Sequence, residues 1–229
     1  MPIGVVSGFL REAKCLLVDG IADPGVLSFA GVGPARSEYG ARELITRGAE
    51  ALVSFGIAGG IAPGVQAGTL VLANKVVDGA NIYKSSNVWR NSLKRLLPAD
   101  LELVEGAIVG SDTMVLSQCE KNKLHINTGA IACDMETHAL ARVAVETGLP
   151  FIVLRAISDP AWQDVPDWVL SCLTSNGEVD YFCIALTLAK RPWELLALLN
   201  LAGNSKRALS SLRRTASAAG SSLGFSSRI

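Results

Sequence analysis

Cys133-Asp134-Met135-Glu136-Thr137 and Phe151-Ile152-Val153-Leu154-Arg155-Ala156-Ile157-Ser158-Asp159 are the two stretches that decide the fold. Ala130 to Cys133 is a short apolar run, and Met135, Ala139, Leu140, Val143 and Ala144 recur at helical spacing from Met135 to Thr147. This spacing puts Glu136 in the first turn of a helix. Gly148 and Pro150 end that helix, and Phe151 to Ile157 reads as a fully buried strand whose end exposes Ser158 and Asp159. Two strand ends about one crossover apart therefore each deliver a carboxylate, and ligands collect at such ends in open parallel sheets.

Working outward, 229 residues with 49% hydrophobic content suit one sizeable domain, expected over 1–203, followed by a basic Ser/Ala-rich tail over 204–229. Formal charge is zero, yet Lys206, Arg207, Arg213, Arg214 and Arg228 all follow the last acid, Glu194. From Trp193 onward, Leu195, Leu198, Leu199, Ala202, Leu209 and Leu212 fit one face of a packing helix, with membrane-surface contact as the other reading. Five cysteines, odd in number and without a Cys-x-x-Cys pair, indicate neither a disulfide framework nor a zinc site and suit a reducing cytosol. The first residues lack a basic n-region and no apolar run approaches the roughly 20 residues of a bilayer span, so neither export nor a membrane span is expected.

Further strands are expected at Ile3 to Ser7, Val26 to Ala30, Ala51 to Phe55, Thr69 to Val77 and Leu103 to Val109. Helical patterns cover Arg11 to Val18, Ala35 to Arg47, Ser86 to Leu97, Cys119 to Asn127, Val179 to Ala189 and Trp193 to Ala202. The alternation predicts an α/β fold with a helix layer on each face. Gly56-Ile57-Ala58-Gly59-Gly60 after a strand suits either a backbone nest for a base or anion, or a structural turn. Gly31-Val32-Gly33-Pro34-Ala35-Arg36 has an arginine where a dinucleotide fingerprint needs its third glycine, and no Walker A sequence occurs.

Gly56 to Gly60, Gly68-Thr69-Leu70-Val71, Gly110-Ser111-Asp112, Thr128-Gly129-Ala130, Asp134-Met135-Glu136 and Arg155 to Asp159 stand in an order that resembles the nucleoside phosphorylase and methylthioadenosine/S-adenosylhomocysteine nucleosidase superfamily. Within it, Ser54 to Gly60, Trp89-Arg90, Asp134 to His138 and Arg191-Pro192 look most like the hopanoid-associated phosphorylases. The resemblance implies a three-layer α/β/α fold with a central mixed, partly barrel-like sheet and a homodimer or larger oligomer. It also implies release of adenine from a 5′-substituted adenosine, with adenosylhopane as the substrate and phosphorolysis as the reaction. No metal or other cofactor is implied; phosphate would be a cosubstrate.

Breaking an N-glycosidic bond puts positive charge on the ribose and negative charge on the base, so one group must hold the sugar and another must protonate the base. Glu136 suits the ribose hydroxyls, and Asp159, if burial keeps its proton, suits adenine N7. In the bland alternatives Glu136 favours a helix N-terminus, and Asp159 caps a helix or pairs with Arg155. Ala58, Gly59 and Ser158 are assigned to substrate binding, Ser158 by orienting Asp159 or the loop, and Met135 to the ribose or the core. His125 and His138 have no evident partner and are assigned packing roles.

The nucleophile is open between water and phosphate. Glu12 stands where hydrolytic members carry a water-positioning glutamate, or is a solvated helix residue; Gly8, Arg11, Gly33 and Arg36 are the candidates for phosphate. Ile57 occupies a position where the superfamily usually has serine, which suits an apolar appendage. Trp162 and Trp168 form an aromatic lid or fill a subunit boundary. The expected partner is a lipid-linked adenosine derivative and no nucleic acid, in the cytoplasm and at the inner face of the membrane. A methylthioadenosine/S-adenosylhomocysteine hydrolase, a noncatalytic nucleoside binder and a membrane-docked scaffold are the alternatives.

Overall fold

The structure is a computed structural model that describes residues 2–17, 25–172, 180–220 and 222–225. Its strands are β1 (Ile3–Ser7), β2 (Val26–Ala30), β3 (Ala51–Gly60), β4 (Leu70–Asp78), β5 (Asn81–Lys84), β6 (Leu103–Gly110), β7 (Ala132–Asp134) and β8 (Phe151–Asp159). Its helices are α1 (Leu10–Ala13), α2 (Pro34–Thr46), α3 (Asn87–Leu96), α4 (Gln118–Thr128), α5 (Thr137–Thr147), α6 (Tyr181–Lys190) and α7 (Leu195–Ala219).

The sheet is mixed and closes on itself. β3 runs parallel to β8, β8 antiparallel to β4, β4 parallel to β6 and β6 parallel to β7, and β7 returns antiparallel to β3. β1 and β2 extend from β3, and β5 is a hairpin partner of β4. Closure leaves the ring strands no free edge, the constraint that barrels generally satisfy.

Strand alternation sorts the core into two faces. Val53 and Phe55 of β3, Leu70 and Leu72 of β4 and Ile152, Leu154 and Ala156 of β8 pack with Trp89 and Leu93 of α3 and with Ala208, Leu212 and Ala216 of α7. The intervening Leu52, Val71, Ala73, Val153 and Ile157 pack with Ala41 and Leu44 of α2 and with Leu140, Ala141, Val143 and Ala144 of α5. Helices therefore cover both faces, as the alternating pattern implied. In the second series Ser54 and Arg155 interrupt the apolar order, and they mark the site.

Several elements depart from the sequence reading. β3 does not stop at Phe55: Gly56 to Gly60 continue it, because this half pairs with both β8 and β7. The expected nest is thus a strand. The helix read from Arg11 is α1 followed by a 3-10 turn at Lys14–Leu16, and its last residue, Val18, lies outside the described residues, as does Val179 before α6. β5 went unread. Cys172 and Cys183 form a disulfide, contrary to the cysteine count, because the 3-10 turn Asp167–Cys172 and the start of α6 bring their Cα atoms to 5.4 Å. Helix α7 runs unbroken past residue 203, with Asn204, Ala208, Leu212, Thr215, Ala216 and Ala219 buried, so most of the tail expected from 204 is helix, and 221 and 226–229 lie outside the described residues.

The chain end is tied back onto α3. Trp89 is fully buried, donates from Nε1 to the Leu223 carbonyl at 2.9 Å and packs its ring 4.6 Å from that of Phe225. Trp89→Ala is therefore expected to cost about 3–5 kcal/mol, seen as a lower midpoint in urea unfolding, whereas Ile82→Ala on exposed β5 changes it by less than about 0.5 kcal/mol.

Candidate active site

The site is organised around Arg155, fully buried on β8. Its Nε lies 2.7 Å from Asp134 Oδ2 as an ion pair, and its Nη2 lies 3.5 Å from Glu136 Oε2. Nη2 also donates to Ser54 Oγ at 2.7 Å and to Thr137 Oγ1 at 3.2 Å. Thr137 in turn donates to Asp134, and Ser54 and Thr137 are hydrogen-bonded at 2.9 Å. Burial alone would lower the Arg155 pKa, but Asp134, Glu136 and Glu12 together raise it. Removing one member of such a network leaves the others as uncompensated buried charge.

Gly56 makes room for this arrangement. A methyl group there would stand 2.5 Å from Arg155 Nη1 and 2.6 Å from Glu12 Oε2. Glu12 is 1% exposed, so it is not the solvated helix residue of the bland reading. Its two oxygens accept the N–H groups of Phe9 at 2.9 Å and Ile57 at 3.0 Å. Burial pushes its pKa up against Arg155 and these two N–H groups. Gly8 lies between the two glutamates: a methyl group on it would be 3.3 Å from Glu136 Oε1 and 3.5 Å from Glu12 Oε2.

Glu136 stands at the N-cap of α5 rather than in its first turn, and its side chain caps nothing. The first N–H groups of α5 are met by Asp134, whose Oδ1 accepts from Thr137 at 3.0 Å and from Glu136 at 3.3 Å. The Glu136 carboxylate instead accepts the Gly33 N–H at 3.0 Å. Burial raises its pKa to about 7, opposed by Arg155 and reinforced by Asp134.

Asp159 ends β8 and lies beside the far part of β3. A register shift between Ala58 and Gly59 sets Gly59 opposite Asp159, and a methyl group at Gly59 would be 3.1 Å from Asp159 Oδ2. Three residues of strand, about 10 Å, separate Gly56 beside Glu12 from Gly59 beside Asp159. Asp159 neither caps a helix nor pairs with Arg155. Its Oδ1 accepts Ser158 Oγ at 2.6 Å and its Oδ2 accepts Lys121 Nζ at 2.6 Å. Burial raises its pKa, opposed first by the Lys121 charge. The neighbouring Cys133 thiol is also pushed up, chiefly by burial.

The other expected residues are distributed as follows. Ala58 is buried and its carbonyl accepts Ser158 Oγ at 3.3 Å, while Met135 is half-buried just before α5. Of the four phosphate candidates, Gly8 and Gly33 border the Glu136 carboxylate. Arg11 is exposed over the Phe9 ring, and Arg36 is exposed with its stem against Gly31. Trp162 is 60% exposed, whereas Trp168 is buried and donates to Glu194, so the two do not form one lid. His138 has a partner after all, Asp112 Oδ1 at 3.2 Å, and His125 Nδ1 meets the Ala130 carbonyl at 2.7 Å.

Lys121 escaped the sequence reading. A lysine sharing a helix face with Leu124 and Thr128 was the available signal, because that face of α4 turns inward. Among the described residues no group of three His, Cys, Asp or Glu side chains is placed to hold a metal ion.

The chain is 28% identical over 157 residues to an aminodeoxyfutalosine nucleosidase of Campylobacter jejuni, covering 60% of this chain and 69% of that one. It is 26% identical over 163 residues to a 5′-methylthioadenosine/S-adenosylhomocysteine nucleosidase of a Shewanella species, covering 62% and 69%. In fold it is similar to the Helicobacter pylori 5′-methylthioadenosine/S-adenosylhomocysteine nucleosidase complexed with a pyrrolidine inhibitor, at TM-score 0.70, 18% identity and coverage of 94% and 95%. The Neisseria meningitidis nucleosidase in complex with methylthio-immucillin-A superposes at TM-score 0.71, with 15% identity and coverage of 96% and 99%. The family model for the phosphorylase superfamily matches residues 15–170, more than half of the sequence, and the chain belongs to that superfamily of enzymes.

Proposed function

We propose that the protein is a nucleosidase that releases adenine from a 5′-substituted adenosine by hydrolysis. The observation that carries this reading is the placement of Glu12 and Glu136 beside Gly56 and Gly8, with Asp159 about 10 Å further along the same strand beside Gly59. A nucleoside laid along Gly56 to Gly59 puts its ribose hydroxyls at Glu136 and its purine N7 at Asp159. As the C1′–N9 bond breaks, its electron pair passes into the purine and the Asp159 proton moves to N7. Water adds to C1′ and gives its proton to Glu12, and solvent then restores both carboxyl groups. The relatives' names, which join nucleosidase activity to adenosine derivatives, support the same chemistry.

Phosphorolysis, the expectation from the hopanoid-associated resemblance, is the second reading. Gly8 and Gly33 favour it through their backbone, but both border a buried carboxylate, and a dianion placed there meets like charge. For the 5′ substituent we favour a bulky apolar group such as hopane, because half-buried Ile57 stands beside Glu12, at the end of the site where the ribose lies.

An apolar substituent suits a protein that works at a membrane surface. Tyr181, Phe182, Leu186, Trp193, Leu196 and Leu199 on α6, α7 and the turn between them are all more than half exposed. From Tyr181 to Ala219 there are six basic residues and one acid, Glu194, a balance that suits anionic lipid. We place the protein in the cytoplasm against the inner face of the membrane, as a homo-oligomer.

Purified protein is expected to release adenine from adenosylhopane at least 10-fold faster, in kcat/KM, than from methylthioadenosine, with no need for phosphate. Strict dependence on phosphate, with a sugar phosphate as product, would turn the reading to phosphorolysis; thermal stabilisation by nucleoside with no adenine at all would leave a noncatalytic binder. Asp159→Asn and Glu12→Gln should each lower kcat by about 100-fold or more.

Because Glu136 must be ionised to accept both hydroxyls, kcat/KM should include a limb near pH 7, rising with pH. In Glu136→Gln that limb is expected to vanish, which a pH series of initial rates reads directly.

Wild-type protein should bind vesicles containing anionic lipid and lose at least 10-fold in affinity when Phe182, Trp193 and Leu196 are all changed to Ser. If these changes instead dissociate a dimer in sedimentation, with vesicle binding absent throughout, a second copy covers this face and the membrane reading fails.

A further inference from the structure

Lys121 is fully buried on α4, 38 positions before Asp159 in the chain, and its ammonium group makes three hydrogen bonds. It donates to Asp159 Oδ2 at 2.6 Å, to the Pro160 carbonyl at 3.1 Å and to the Gln163 carbonyl at 2.7 Å. A lysine has three donors, and all three are used on the segment that begins at the carboxylate. The same segment is held at two further points. Gln163 Oε1 accepts from Asn204 of α7 at 2.7 Å, and Asp164 accepts the Gln118 N–H at the start of α4 at 2.6 Å.

A buried ammonium at this position carries a large desolvation cost that an exposed one avoids, and a stable core alone does not call for it. The three acceptors account for it: two are backbone carbonyls that follow β8, and the third is the carboxylate that gives up its proton. We propose that Lys121 is a positioning residue that aims Asp159 along β3 and stabilises the carboxylate left after its proton has passed to the purine. The inference rests on the nucleosidase reading and adds to it the group that sets the acid strength of Asp159.

Three facing groups bear on Asp159: Lys121 from α4, Ser158 from β8 and the Cys133 thiol from β7, the last of these beside Gly59. Only Lys121 brings a positive charge. The proton transfer breaks the Asp159 O–H bond and makes a purine N–H bond, so the new negative charge appears 2.6 Å from Nζ at the moment the glycosidic electron pair leaves C1′. Lys121 itself loses no proton and forms no bond to substrate.

The test uses full-length protein carrying Lys121→Gln, which keeps a donor for the carbonyls but no charge, beside Lys121→Arg, which keeps the charge. Adenine release and the titration of Asp159, followed as the 13C carboxyl resonance that disappears in Asp159→Asn, are measured on each. Lys121→Gln is expected to move the Asp159 titration upward by at least one pH unit and to lower kcat by at least 10-fold, with KM changed less than 3-fold. Lys121→Arg should recover at least part of both. An Asp159 titration unmoved in Lys121→Gln would overturn the inference, even if activity fell, because packing damage alone accounts for lost activity. Adenine release by no protein, wild type included, would sink the nucleosidase reading and with it the catalytic role, while a shifted titration would still show the coupling. Lys121→Met, which keeps the volume and removes both charge and donors, provides the same titration should the glutamine variant fail to fold.

Discussion

One buried cation fixes the Glu136 end of the site. Arg155 stands on the β8 face that is otherwise apolar, between Val153 and Ile157, and a guanidinium there is tolerable only if its donors are satisfied. The chain supplies partners from three elements. Ser54 comes from β3, Asp134 from the end of β7, and Thr137 and Glu136 from the start of α5. Asp134 meets Nε by charge, without a hydrogen bond. The glycine at 56 belongs to the same solution, since any side chain there would occupy the guanidinium's volume. The fold and the site are thus not independent: the ring strands close around a charge that also lies beside the Glu136 carboxylate.

The two ends of the glycine-rich half of β3 differ in electrostatic character. At one end, two glutamates share the field of a single arginine whose closest partner is Asp134, so that end has more carboxylates than cations. At the other, one aspartate is matched by one lysine. Positive charge that develops on a sugar is favoured at the first end, and the negative charge left by a departing proton is favoured at the second. Under the proposed function, this asymmetry favours the ribose at the first end and the purine at the second.

Much of this was legible in the residues, because strand and helix periods in Ile3 to Ser7, Phe151 to Asp159 and Met135 to Thr147 are strong and the carboxylates stand at their ends. What escaped reading depends on contacts distant in the chain. Nothing local says that Gly56 to Gly60 remain in a strand, since the pairing that holds them comes from residues 132–133 and 155–159. Nothing local distinguishes Asp134 from Glu136 as the cap of α5, and only the position of Gly33 draws the second away. The lysine at 121 reads as one more surface charge until its helix is known to face the end of β8. The bonded pair Cys172 and Cys183 was hidden for a similar reason, because an odd count says nothing about which cysteines meet.

Burial of the Glu136 carboxyl makes stability depend on pH. Glu136 is shifted from an ordinary value of 4.5 to about 7, so its burial costs the fold nothing below pH 4.5, where it is protonated whether folded or not. As pH rises from 4.5 through about 7, that part of the stability is lost, because the unfolded chain ionises the group more readily than the folded one does. Glu12 and Asp159 are shifted in the same direction by the same cause, burial. Under the proposed function, a ribose that donates two hydroxyl hydrogens to an ionised Glu136 replaces the water that burial took away, and ligand binding and folding are then linked through this carboxylate.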